Sequence, residues 1–379
     1  MKLLNLVYEK DWSIKEGELV KDEYSCVNIV FLFGDTDAIK DEKRFFELTE
    51  LFPNAKIVGC SSSGNILNSQ VTKFPIVATA ISFDKAFVEI SSITFKEEDD
   101  IEQISQNLIN NLPKENLKHI FLMSDGLLIN GSQLARGINK INKFVPVTGG
   151  MAGDGARFCE TYVIANNVPA QRTIAAVGFY GDSLTVQSGC FAGWSEFGTQ
   201  RTITKSTGNI LYEIDGQPAL DLYKKYLGVY ASDLPNSGLR FPLNIKENED
   251  SPQEVIRTLL GINEEEKSIT FAGDVPVGYK ARLMKPDIDE LIDGAGKAAE
   301  VINKINDKTA FGLIVSCVGR KIVMNQLIDD ELEIIQEVLG ENVLLSGFYS
   351  YGEFAPFQDN LLNCELHNQT MTLTTIYES

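Results

Sequence analysis

The sequence predicts an α/β fold: mixed sheets built from repeated β-α-β units with following hairpins, arranged in two packed subdomains. Three observations predict it. A strand–helix–strand pattern recurs three times, each copy ends in a glycine-rich loop, and each loop is followed by more strand-forming sequence broken by a polar turn. Short apolar runs bounded by turns suit strands buried on both faces. A β-α-β unit joins parallel strands by a right-handed crossover.

The first copy opens with NIVFLFG (Asn28 to Gly34) and continues into a helical stretch with Phe45, Leu48, Leu51 and Phe52 at helical spacing. It closes with AKIVG (Ala55 to Gly59) and the loop GCSSSGN. The second runs HIFLMSDG (His119 to Gly126), a helix carrying Leu134, Ile138 and Ile141, then FVPVTGG (Phe144 to Gly150) leading into GGMAGDG. The third runs FGLIVSCVGR (Phe311 to Arg320), DDELEIIQEVL (Asp329 to Leu339) and NVLLSG (Asn342 to Gly347), exiting through SGFYSYGEF. Hairpins are expected after each loop, turning at Asp84-Lys85, at Gly181-Asp182 and near Asn368. The unequal periods exclude a solenoid.

Between copies two and three, Asn209 to Gly228 reads as a strand, an Asp215-Gly216 turn and a helix, with Pro218 in its first turn and Gly228 as its stop. Ser268 to Pro286 reads as a hairpin with a Pro276–Gly278 corner, and a helix is expected from about Ile288 to Ile305. A domain boundary falls near 216 to 230, with no flexible linker to mark it.

Charge and cysteine usage narrow the function. The 379 residues carry a formal net charge of −19, and nothing resembles a basic stripe, which argues against nucleic acid. Acidic runs such as Glu97 to Asp100 read as solvated surface. No apolar run reaches the roughly 18 residues of a membrane span. The N-terminus, MKLLNLVYEKDW, has too short an apolar run for a signal peptide and reads as a first strand, so a cytoplasmic protein is expected. Six dispersed cysteines without a CxxC pair, and only two histidines, point to reduced thiols and to no metal site.

The loops carry the candidate chemistry. Backbone N–H groups in such turns hold carboxylates or phosphates. Cys60, Ser61 and Ser62 belong to the first loop, Gly150 and Asp154 to the second, and Tyr351 and Glu353 to the third; Arg320 ends the third copy's first strand. Serine hydroxyls, an acidic acceptor for an ammonium group and a guanidinium clamp for a carboxylate would together suit a small zwitterion such as an amino acid. The residues leave a second reading open, in which the glycines serve turns, Asp154 caps a helix and Arg320 pairs with Glu353. GCSSSG lacks the Lys and Ser/Thr of a nucleotide P-loop, and no cofactor is implied. A nucleophile at Cys60 or Cys317 would need a base beside it, and neither His119 nor His367 is placed there by sequence, so no catalytic residue is assigned. Trp194 is either a lid over a pocket or part of the core. The rivals to a ligand-binding protein are a cysteine-dependent enzyme and a pure interaction scaffold.

Taken in order, GCSSSGNI, GGMAGDG, GWSEFG, NILYEIDGQPALDLYKKYLG, FAGDVPVGYKARLM, SCVGR and GFYSYGEFAP resemble the motifs of the FIST sensory proteins, along nearly the whole chain. The resemblance implies an N-terminal FIST region over 1–217 and a C-terminal one over 218–379. It implies a sensor of small ligands, amino acids or related metabolites, with no catalytic machinery to carry over. It also implies partnership with chemotaxis receptors, histidine kinases or diguanylate cyclases. Because no F-box, kinase, cyclase or receptor coiled coil accompanies the two regions, the expectation is signalling through a separate partner protein.

Overall fold

In a computed structural model of the chain, which describes residues 1–302, 305 and 308–379, three six-stranded mixed sheets pack their inner faces on one another. Each sheet is built on the same four-strand unit. In the first, β1 (Lys2–Tyr8), β2 (Ile29–Gly34), β3 (Lys56–Ser61) and β4 (Ile76–Ser82) have β2 parallel to β3, and β4 antiparallel to both β2 and β1. In the second, β5 (Phe87–Thr94), β6 (Leu117–Ser124), β7 (Val147–Met151) and β8 (Thr173–Tyr180) repeat that pattern. In the third, β9 (Leu184–Phe191), β10 (Ala310–Cys317), β11 (Val343–Ser350) and β12 (Met371–Glu378) repeat it again.

The inner faces meet in a shared core. Phe31 of β2 lies 5.8 Å from Phe121 of β6, 6.4 Å from Phe179 of β8 and 5.7 Å from Phe311 of β10, so one ring touches all three units. Helices cover the outer faces: α1 (Lys43–Leu51) on the first sheet, α2 (Ile101–Asn110) and α3 (Gly131–Ile141) on the second, α4 (Ile288–Glu300) and α6 (Asp330–Leu339) on the third. Between β10 and α6 runs the short α5 (Val318–Met324). Helix α2 is capped by Asp100, whose side chain accepts from Glu102 N and Gln103 N, so the end of the acidic run 97–100 is a helix cap as well as solvated surface. The helix expected to reach Ile305 ends at Glu300; residues 303 and 304 of that stretch lie outside the described residues.

The strands expected after each loop are present, but the expected turns do not close hairpins; the hairpins that follow the first and third loops are Asn65–Leu67 with Gln70–Thr72 and Glu353–Phe357 with Asn360–His367. β4 and β5 lie in different sheets, as do β8 and β9, and Asn360–His367 and β12. A short polar turn between two strands is equally compatible with a corner where the chain changes sheet. Here every such turn is a corner, and this lets each unit turn one face to the common core. The stretch Ser268 to Pro286 likewise gives two strands, Ser268–Phe271 and Lys280–Lys285, that pair with other strands rather than with each other.

Each glycine loop also hands a strand to a neighbouring sheet. Asn65–Leu67, after the first loop, pairs with β11 of the third unit. Val163–Ala165, after the second, pairs with β3 of the first. Glu353–Phe357, after the third, pairs with β7 of the second. The exchange is cyclic and draws the carboxyl ends of the three parallel pairs together.

A fourth sheet of eight strands occupies residues 195–285, between β9 and α4. The strand Ile210–Ile214 and the helix Ala219–Leu227 match the reading of that block, with Pro218 just before the helix and Gly228 ending it at φ +55°. The expected division at 217/218 falls inside this sheet, in the strand Gln217–Pro218, and strands from both sides of it share the second and third sheets.

Candidate functional site

The three glycine loops bond directly to one another. Gly153 N donates to Ser61 O at 2.9 Å, Ser63 N to Tyr349 O at 2.8 Å, Tyr349 N to Gly64 O at 2.9 Å, and Met151 N to Gly352 O at 2.8 Å. Of the glycines that open the loops, Gly59, Gly149 and Gly347 are not turn residues but sit within β3, β7 and β11. A Cβ on each would stand 1.7–1.9 Å from the carbonyl oxygen of its register partner, Leu32, Leu122 or Ile314. They are glycines because the parallel strands approach too closely there for a side chain.

Several expected site residues are structural. Cys60 is buried in the shared core, and burial holds its thiol well above the ordinary value; burial does the same to Cys317. Neither is placed to act as a thiolate nucleophile. Ser61 is fully buried, its Oγ accepting from Tyr162 N at 3.0 Å. Gly150 is a strand residue paired with Glu353, and Glu353 is buried against Ser350 and Thr370. Arg320 corrects both readings of it. Its guanidinium has no exposure, pairs with Glu331 at 2.8 Å, and donates to the carbonyls of Ala192 and Leu291 at 2.5 and 2.8 Å. Glu331 also accepts from Ser316 and Tyr349, so α5 and α6 are joined by a buried network with nothing left for a ligand.

Asp154 caps no helix, and its carboxylate is already taken up by donors of the chain itself. Its carboxylate accepts from the N–H groups of Phe158 (2.8 Å), Cys159 (2.8 Å) and Glu160 (3.0 Å), and from the Tyr351 hydroxyl. Burial pushes its carboxyl up, but these donors outweigh burial and hold it below the ordinary value. Its role is to shape residues 155–160.

Two cavities flank that segment. The first, about 390 Å³, is polar and lies between loops one and two, lined by Ser62, Ser63, Asn65, Asp154 and Gly155 together with Asp35, Thr36, Arg157 and Lys321. Ser62 Oγ donates to Asn65 Oδ1 at 2.7 Å and accepts from Gly64 N. Lys321 Nζ reaches the Ser63 carbonyl at 2.6 Å and, among the described residues, forms no ion pair; burial lowers its pKa, opposed by the charge of Asp35. Asp35 is an exposed residue lining the cleft, where its carboxyl is partly desolvated. That partial desolvation raises its carboxyl, against the Asn65 bond and the charges of Lys321 and Arg157. Thr36 Oγ1 is buried with no hydrogen-bond partner among the described residues.

The second cavity, about 490 Å³, lies on the other side, between the second unit, the start of α5 and the fourth sheet. Tyr351 lines it, with Phe158 stacked on its ring at 4.6 Å. Trp194 lines a third, its indole N–H bonded to Gln369 O at 3.1 Å. Among the described residues no helix is long and apolar enough to cross a membrane.

Asp35, Thr36, Arg157 and Lys321 escaped the sequence reading. A signal for Asp35 was available: it directly follows β2, as Asp125 follows β6, and ligands collect at strand carboxyl ends. Lys321 carries no such mark, because only the packing of α5 against the first loop brings it there.

Comparison with known proteins places this geometry. The FIST N domain family matches residues 28–217 and the FIST C domain family residues 219–356. An uncharacterized protein of Methanocaldococcus jannaschii is 22% identical over 381 aligned positions, covering 90% of this chain and 72% of its own. Among solved structures, a chorismatase aligns at TM-score 0.37 and 8% identity over 99% of this chain and 98% of its own. A cyanuric acid hydrolase from A. caulinodans aligns at TM-score 0.32 and 7% identity over 94% and 91%. Neither likeness bears on what this chain binds.

Proposed function

The chain belongs to the FIST family of signalling sensor domains, and from that premise we propose that its polar cleft binds a small zwitterion, an amino acid or close relative. One observation carries the reading. Asp35 and Lys321 share one cleft without pairing to each other, and the buried Thr36 Oγ1 beside them lacks a partner. A desolvated polar group without a partner is costly. A ligand carboxylate on Lys321 and Arg157, with its ammonium on Asp35, satisfies the set. Ser62 and the backbone of Ser63 and Gly64 form the wall. Asp154 and Tyr351 act behind it by holding residues 155–160 in place. The 390 Å³ volume lies at the small end of ligand pockets.

In this reading the chain is a cytoplasmic sensor that performs no chemistry on its ligand. It passes its state to a separate protein such as a histidine kinase, chemotaxis receptor or diguanylate cyclase. A thermal-shift screen of the L-amino acids tests the binding step. One of them should stabilise the protein, by about 2.7 kcal/mol at 100 times its Kd. Lys321→Met should abolish that shift, and Asp35→Asn should transfer preference from zwitterions to plain carboxylates. The reading fails if no amino acid moves the melting temperature, or if Lys321→Met melts with the same ligand shift.

A further inference from the structure

The second cavity has the make-up of a ligand site in its own right. Its walls are more apolar than polar: Leu127, Leu128, Ile129, Leu239, Leu260 and Phe271 line it, with the amides Asn130 and Asn209 among them. Phe158 lies nearly parallel to Tyr351, with ring planes 13° apart, and remains 40% exposed. Tyr351 covers one face of its ring, which leaves the rest of its surface for a second flat ring to stack on or meet edge-on. The cavity holds little charge. Arg172 is half-buried at the rim, and its ion-pair partner among the described residues is Glu97 at 3.9 Å, itself 89% exposed. A pair so long and so solvated is weak. Thr258, which also lines the cavity, is buried and its Oγ1 has no hydrogen-bond partner among the described residues.

The rim is held to shape. Asp125, itself buried, accepts from Leu127 N (2.8 Å), Leu128 N (2.9 Å), Arg172 N (2.8 Å) and Thr161 Oγ1 (3.0 Å). One carboxylate thus fixes two apolar wall residues and the arginine in a single frame. Such preorganisation lowers the ordering cost of binding.

We propose that this cavity is a second ligand site, distinct from the polar cleft, which takes a flat aromatic body carrying one carboxylate. The ring stacks on Phe158 among the leucines. The carboxylate displaces Glu97 from Arg172, and Thr258 Oγ1 meets a polar substituent at the far end. A zwitterion is the wrong ligand here, because among the lining residues only Glu97, out in solvent, is anionic.

The test uses the full chain, 2-naphthylacetate as the probe and 2-naphthaleneethanol as its neutral isostere, with binding followed by isothermal titration. The acid should bind about tenfold more tightly than the alcohol, the worth of one charge-assisted contact. Arg172→Gln should bring the acid down to the alcohol's affinity and leave the alcohol unchanged. Ala272→Phe, which fills the cavity, should remove binding of both. Equal affinity for acid and alcohol in the wild type, an Arg172→Gln variant that keeps the difference, or no binding of either probe overturns the proposal. None of these outcomes depends on whether the polar cleft binds an amino acid.

Discussion

Glu353 ends the third glycine loop with its carboxyl fully buried, 2.5 Å from Ser350 Oγ and bonded to Thr370 N and Oγ1 at 3.2 and 2.9 Å. Burial pushes its pKa from the ordinary 4.5 up to about 8, against the pull of those hydrogen bonds and of Arg320. The neutral form fits the network. Its proton goes to Ser350 Oγ, whose own hydrogen goes to Ser316 O at 3.3 Å, while the other oxygen accepts from Thr370. Between about pH 4.5 and 8 the folded chain therefore keeps a proton that the unfolded chain has lost. The stability this group confers is complete below about 4.5, declines across that window and is gone above about 8. Its slope is at most about 1.4 kcal/mol per pH unit. Glu353→Gln keeps the same donors and acceptors without titrating: Nε2 replaces the O–H toward Ser350, and the amide oxygen accepts from Thr370. Calorimetric melting at pH 5 and pH 8 should show a smaller loss for the variant than for the wild type. The comparison cancels the acid-rich background of the −19 net charge. Parallel losses in the two proteins would mean that Glu353 is ionised throughout.

The β-α-β element was legible in the sequence because its signals are local. Apolar strand runs, helical spacing around Phe45, Leu134 and Ile335, and glycine exits lie within each copy. What each strand pairs with was not legible. The turns at Asp84-Lys85 and Gly181-Asp182 look like hairpin turns, and the choice between hairpin and corner is made by three sheets sharing one core. The site divides along the same line. Ser62 and Asp154 were visible as polar loop residues, whereas Arg320 looked available only because Glu331, eleven residues on, marks no pair until α5 packs on α6. The loop glycines likewise looked like turn residues, and their need is tertiary: strand against strand. Alanine at Gly59, Gly149 or Gly347 must push a partner backbone aside. Each should lower stability by about 3 kcal/mol or more, the upper end for overpacking. Gly261, in the strand Leu259–Asn263, has open space for at least 4 Å around where a Cβ would stand and serves as the contrast. Gly261→Ala should be neutral or stabilise by up to about 1 kcal/mol. Urea melts of the four variants check this, and a tolerated alanine at any of the three strand glycines contradicts the close-approach account.

Across the whole molecule, the cyclic exchange of loop strands puts one short segment between two cavities. Gly155, Ala156 and Arg157 line the polar cleft, and Phe158 lines the apolar one. Asp154, which precedes that partition, holds its far end through the N–H groups of Phe158, Cys159 and Glu160, while Tyr351 ties it to the third unit by its hydroxyl and supports Phe158 with its ring. A ligand that orders residues 155–157 from one side thereby changes the freedom of Phe158 on the other. Binding at the two sites should be coupled, in a sensor whose output must differ between ligand states. Coupling free energies between sites commonly correspond to about 5-fold or more in affinity. The expectation, which rests on both proposed sites, is that the amino acid found in the thermal screen changes the Kd of 2-naphthylacetate by about that factor. By linkage, 2-naphthylacetate must change the amino acid's Kd by the same factor. Tyr351→Phe keeps the ring beneath Phe158 but cuts the bond to Asp154. It should bring the coupling factor toward one while each ligand still binds alone. A factor of one in the wild type would make the two cavities independent. A factor that survives Tyr351→Phe would route the coupling through the block that carries the fourth sheet, residues 195–285, which supplies Leu239, Thr258 and Phe271 to the apolar cavity and nothing to the polar one.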